Sequence, residues 1–234
     1  MMTGQLSTSF APASQQVLGL PAPAIHSVLI LAALASFCFI LWKRAAVLRL
    51  ANSDPRFDHI GQRLTNLLVV GLGQARQPRY LLAGVLHILI FFGFLILTVR
   101  SLTLLGEGFA PGFDLPGLGG AVGDWYATLK DYTALIVLAC CLVAAVRRAA
   151  FKPARYHDRH ARKSHGHEAY LILGLISFLM IADAFYEGSA MVSLQIPLGA
   201  ALPLASLASI AVGGGSESLL LNLHVTSFWV HNFA

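Results

Sequence analysis

Four stretches of the chain are almost unbroken in apolar residues, roughly 23 to 42, 80 to 104, 127 to 146 and 169 to 190. Each supplies the about 20 residues that a membrane helix requires, and each is predicted to form one. A fifth run begins near Ser218 and is still apolar at Ala234. The pattern therefore predicts an all-α, polytopic membrane bundle of five transmembrane helices, the fifth truncated in mid-membrane. Residues 1–22 read as an uncharged outer tail, and 23–234 as one membrane domain whose last span is 218–234. Between the fourth and fifth runs, "QIPLGAALPLASLASIAV" (195–212) is apolar but carries Pro197, Pro203 and many small residues. It is expected to form a re-entrant or surface helix on the outer side.

Polar positions at the borders of these runs set the orientation. Residues 43–79 hold seven lysines and arginines and residues 147–168 hold seven more, so of the 16 basic residues only Arg100 and Lys130 fall elsewhere. Basic residues near helix ends are retained on the cytoplasmic side. The N-terminus is therefore expected outside, both basic stretches inside, and "GEGFAPGFDLPGLGGAVGD" outside, in the inner membrane of a bacterium or archaeon.

Composition agrees: 56% of residues are hydrophobic and 12% charged, against about 25% charged in soluble domains. The net charge of +5 reads as topology and not as nucleic-acid binding, because no basic patch is interleaved with aromatic residues. Cys38, Cys140 and Cys141 lie in apolar runs without the spacing of zinc or iron–sulfur ligands, and read as core residues. "DPRFDHIGQRLTNLLVVGLGQARQPR" sets an apolar stripe among charges, as an interfacial helix does, with His59 at the surface. His157, His160, His165 and His167 lie among cations, which favours anionic lipid heads or an acidic partner over zinc.

Histidines inside the apolar runs are more informative, since a polar side chain at membrane depth needs a partner or a cofactor. His87 lies about seven residues inside its helix, about 10 Å below the cytoplasmic surface. Ala83 and Gly84 share its face and leave room for a flat macrocycle, with Phe91 one turn above. His224 and His231 are seven apart and share one face of the fifth helix. His231 is expected about 20 Å from the outer edge of a core about 30 Å thick, close to the depth of His87. His87 and His231 are thus expected to ligate one haem iron from opposite sides. His224 and His26 near the outer surface leave a second haem open. For His26, His87 and His231 the alternative is a hydrogen bond to a neighbouring helix, and for His224 a place at the outer interface.

Asp183 and Glu187 lie four apart near the outer end of the fourth helix. They accept the protons released by quinol oxidation, or they cap the helix end in water or pair with Arg100 or Lys130. Arg100 either holds a haem propionate or snorkels to the outer surface.

The segments "GQRLTNLLVVGLGQARQPRYLLAGVLHILIFFGFLILTVRSLT", "AVRRAAFKP", "ADAFYEG" and "LHVTSFWVH" together resemble the membrane cytochrome b domain of the nitrate reductase gamma subunit-like superfamily. The form most similar is that at the N-terminus of heterodisulfide reductase-related iron–sulfur proteins, and the resemblance covers roughly residues 25–234. It implies five helices, haem b held by histidines on the second and fifth, and electron exchange between a quinone pool and cytoplasmic iron–sulfur modules. Carried across, the ligands are His87 and His231, with His224 a further candidate and quinone or quinol the substrate. Leu97 stands where gamma subunits can carry a second histidine, and the family's further fifth-helix histidine would lie past Ala234. Iron–sulfur clusters are expected only in a missing C-terminal part or in a partner. The rival expectations are a haem-free anchor docking a redox enzyme, and a small proton-coupled transporter using Asp183 and Glu187. No paired broken helices support the latter.

Overall fold

A computed structural model describes residues 10–50, 57–151 and 166–233. Apart from a two-residue antiparallel ladder, β1 (Gln16–Val17) with β2 (Leu20–Pro21), the regular elements among them are helices. These are α1 (Ala22–Ala46), α2 (Ile60–Asn66, continued by a wider turn over Leu67–Leu72), α3 (Leu81–Glu107), α4 (Gly120–Phe151), α5 (Gly166–Ser193), α6 (Pro203–Val212) and α7 (Glu217–Phe233). The expectations resting on residues 1–9 and on His157, His160 and His165 lie outside the described residues.

Among the described residues, four segments are long and apolar enough to cross a membrane: Ala22–Leu50, Leu81–Glu107, Gly120–Phe151 and His167–Ser193. Each coincides with one of the first four apolar runs. Their outer faces expose Phe37, Trp42, Phe94, Leu142 and Leu171, which costs nothing where the surroundings are lipid tails as apolar as the side chains. The fifth run forms α7, whose 17 residues fall short of the about 20 of a typical span. The segment 195–212 forms the 10-residue α6; about 15 Å long, it cannot cross a core about 30 Å thick.

Helices α3, α4 and α5 pack around Leu97, Ala134, Val137, Cys141, Met180 and Ala184, joined by Leu204 and Ala208 of α6. Small residues let α5 and α6 meet closely: a Cβ on Gly188 would come within 2.7 Å of Ala208 Cβ and 3.0 Å of the Ala205 carbonyl oxygen. The start of α6 is tied to α4 by Asp131, whose carboxylate accepts hydrogen bonds from the backbone N–H groups of Leu204 (2.7 Å) and Ala205 (3.1 Å). Those N–H groups have no partner within the helix. Pro203, which has no N–H to satisfy, opens it.

Helix α1 touches the bundle at its beginning, where Ala22 and His26 are its buried residues. The preceding residues fold back over this end, with Phe10 packed against Val212 and Leu220. Antiparallel packing gathers Lys43 and Arg44 at the close of α1, Arg79 just before α3 and Arg148 in the last turn of α4. They occupy the end of the bundle opposite Glu107, the last residue of α3.

Candidate functional site

The apolar bundle encloses a cluster of ions. Arg100 on α3 is 7% exposed and Asp183 on α5 is 4% exposed. Arg100 Nε donates a 3.0 Å hydrogen bond to Asp183 Oδ1, and Nη2 lies 3.3 Å from Glu187 Oε1. Lys130, from α4, donates to Asp183 Oδ2 at 3.3 Å and also pairs with Glu187. Two cations and two carboxylates thus neutralise one another out of water, the condition under which buried charge is tolerated. Of the three roles anticipated for Asp183 and Glu187, pairing with Arg100 and Lys130 is the arrangement seen. Arg100 does not snorkel: its guanidinium is engaged by α5 and lies 5.3 Å from the centre of the Tyr186 ring.

A second polar group adjoins this cluster and was not anticipated. Glu107, 2% exposed, accepts a 2.6 Å hydrogen bond from the Tyr186 hydroxyl at Oε2. Its other oxygen, Oε1, lies 3.9 Å from Arg100 Nη1, beyond hydrogen-bonding reach. The signal was present in the sequence: Glu107 is seven residues, about two turns, beyond Arg100 and shares its face. The glycines around it made it read as part of the outer loop.

His224 completes the group. It is fully buried and stacks on Tyr186 with ring centres 3.9 Å apart. Its Nδ1 lies 2.8 Å from the Tyr186 carbonyl oxygen. A carbonyl can only accept, so Nδ1 carries the proton and Nε2, which has no hydrogen-bond partner, keeps its lone pair. Arg100, Glu107, Lys130, Tyr186, Glu187 and His224 all line one cavity of about 350 Å³.

The other histidines are distributed differently from expectation. His231 Nε2 lies 3.3 Å from Ser101 Oγ on α3. Ser101 is fourteen residues beyond His87, about 21 Å along the axis, so the depth match is not found. The reason is that α7 starts beyond the ion cluster, where Leu220 packs with Phe10 and Val212, and has reached only the level of Ser101 at His231. His87 is exposed, on nearly the same face of α3 as Ser101, two heptads away. The space over Gly84 is not open for a macrocycle, because a Cβ there would strike the backbone of Gln77 and Pro78. His26 is fully buried: its Nε2 donates to the Leu105 carbonyl at 3.2 Å, leaving Nδ1 without a partner. Its ring packs against Phe109, Phe233 and Trp229, and a Cβ on Gly108 would lie 2.5 Å from its Nε2. His59 is exposed and starts α2.

No family model matches the chain, and no solved structure matches it. Among curated proteins it is similar to a probable iron–sulfur-binding oxidoreductase, FadF, of Bacillus subtilis, 22% identical over 195 residues covering 83% of this chain and 26% of the relative. It is also similar to the EtfAB:quinone oxidoreductase of Syntrophomonas wolfei, 28% identical over 218 residues covering 87% of this chain and 29% of the relative. Both relatives carry the name oxidoreductase. The chain thus spans less than a third of the length of the curated relatives it matches.

Proposed function

We propose that the chain is the membrane haem b part of a quinone-linked oxidoreductase, passing electrons between the quinone pool and a cytoplasmic iron–sulfur module, whether partner or fused domain. The observation that carries this reading is the cavity of about 350 Å³ lined by Arg100, Lys130, Glu107, Glu187 and Tyr186. Its volume falls in the range of about 300–1,000 Å³ of small-molecule sites. A quinone presents two carbonyl acceptors that suit Lys130 and Arg100, and a hydroquinone presents two O–H donors that suit the carboxylates. The relatives' names support the two ends of the path, one mentioning quinone and the other iron–sulfur binding.

In this reading α7 belongs to a fifth crossing and the N-terminus is outside. The basic end then faces the cytoplasm and the partner, and the cavity lies toward the outer surface. Haem b is the cofactor assigned to the histidines. His224 suits it best, because the carbonyl that takes its Nδ1 proton fixes the ring and leaves a buried Nε2 lone pair, as in metal-bound imidazoles. His26 offers the same pattern at Nδ1. His87 and His231 stay in the ligand set but, being so far apart in depth, serve different irons. When bound, a haem supplies one-electron transfer at a potential tuned by its ligands and surroundings.

The test is a reduced-minus-oxidised visible spectrum of the purified chain, recorded beside His87→Ala, His224→Ala and His231→Ala. A b-type band weakened by His224→Ala and by His87→Ala is expected. A colourless parent would leave the haem-free anchor as the better account.

A further inference from the structure

Glu107 is the wall shared by two cavities. On one side is the large cavity with the ion cluster. On the other is a void of about 10 Å³ lined by Phe10, Ala11, Pro12, Gly112 and again by Glu107, Tyr186 and His224. That volume accommodates about one water molecule, and the void's polar walls are the Glu107, Tyr186 and His224 side chains. Its roof is the folded-back segment 10–12 at the Glu107 end of the bundle, and Glu107, Tyr186 and His224 together form the wall between it and the large cavity.

The carboxylates lining the large cavity are Glu107, Glu187, Asp114 and Asp124, with Asp183 beside them in the ion cluster; Asp114 and Asp124 are exposed, and the other three differ in what they can accept. Both Asp183 oxygens are engaged, one by Arg100 and the other by Lys130. Glu187 Oε1 faces the same two cations. Asp183 and Glu187 are thus each already shared by Arg100 and Lys130. Glu107 has one oxygen fixed by the Tyr186 hydroxyl and the other without a hydrogen-bond partner, in a side chain that is 2% exposed.

We propose that Glu107 takes the proton leaving a hydroquinone in the large cavity and delivers it to water in the void beneath residues 10–12. This rests on the quinone reading above and names the proton acceptor within it. An O–H bond of the hydroquinone breaks as an O–H bond forms at Glu107 Oε1. The new acid then releases its proton to the water and returns to carboxylate. The two electrons leave the ring one at a time to the one-electron acceptor already assigned, haem or iron–sulfur, and two turns of Glu107 complete oxidation to the quinone. Tyr186 is a positioning residue: its hydroxyl holds Oε2 and thereby points Oε1 at the exchange.

The experiment uses the full chain in detergent with a short-chain naphthohydroquinone and its quinone, and with an excess of a soluble one-electron acceptor that does not oxidise the hydroquinone unaided. Quinone binding is read by quenching of tryptophan fluorescence, Trp125 lying beside the cavity-lining Asp124 and Tyr126. Protonation is read as a carboxylic-acid C=O band in the infrared difference spectrum on adding the hydroquinone. Glu107→Gln is expected to bind the quinone within about threefold of the parent, to lack the band, and to oxidise the hydroquinone at least about 100-fold more slowly, as loss of a general base implies. Phe10→Trp, which fills the void, is expected to slow oxidation about tenfold with binding unchanged, in keeping with a lost proton-transfer step. A Glu107→Gln protein that keeps both band and rate overturns the proposal. If Glu107→Gln fails to fold, Phe10→Trp decides: an unchanged rate overturns the proposal and a slowed rate supports it. A parent that neither binds the quinone nor oxidises the hydroquinone overturns the quinone reading itself.

Discussion

Arg100 and Asp183, eighty-three residues apart in the chain, form a 3.0 Å hydrogen-bonded ion pair inside a bundle of apolar helices. Removing one charge strands the other. Asp183→Asn leaves Arg100 and Lys130 facing Glu187, with Glu107 3.9 Å from Arg100, and breaking a buried pair in this way costs about 3–5 kcal/mol. Thermal melting in detergent should show the loss. The double change Arg100→Met, Asp183→Leu should cost less than Asp183→Asn, since Lys130 and Glu187 still pair; a double variant that melts lower than the single would contradict this.

Asp131 caps a helix that lies in another part of the chain. Asp131→Ala removes the acceptor for Leu204 and Ala205, at a cost of about 0.5–2 kcal/mol. Hydrogen exchange should speed up at the start of α6 and stay unchanged in the middle of α3. Uniform acceleration throughout the bundle would mean that Asp131 supports the whole fold and not the α6 cap.

Gly188 permits the contact between α5 and α6. A methyl group there meets Ala208 Cβ at 2.7 Å, so Gly188→Ala is expected to destabilise by about 1–3 kcal/mol. Ala208→Gly should recover part of that loss in the double variant, giving a favourable coupling energy in a double-mutant cycle. Simple additivity would place the strain elsewhere.

His26 is the buried polar anchor of α1. With His26→Ala the hydrogen bond to Leu105 and the packing against Phe109 and Phe233 are lost. The far part of α1 should then move more freely. Spin labels on the exposed Cys38 and on Thr98→Cys would report it as a broadened distance distribution. An unchanged distribution would show that other contacts hold α1 in place.

Much of the architecture was legible because membrane helices are read from local runs. The four apolar stretches appear as four long helices, and the prolines and small residues of 195–212 marked the short α6. The pairing of Asp183 and Glu187 with Arg100 and Lys130 was legible as one of three options, since charges in an apolar bundle have few places to go. Glu107 and Asp131 were not, although both were in view as residues. Nor was the level at which His231 meets α3.

What the chain alone determined is which segments are helices, which ends carry the basic residues, and how few polar groups lie between them. Packing of the folded bundle sets how those helices are rotated and how far each has advanced past its neighbours. The reason is physical. A helix that is apolar on every side has no preferred face from hydrophobicity, so its rotation is set by specific contacts such as Gly188 on Ala208 and Arg100 on Asp183. Those contacts bring Glu107, Tyr186 and His224 from three helices to one cavity wall, and leave His87 about 21 Å from the level of His231.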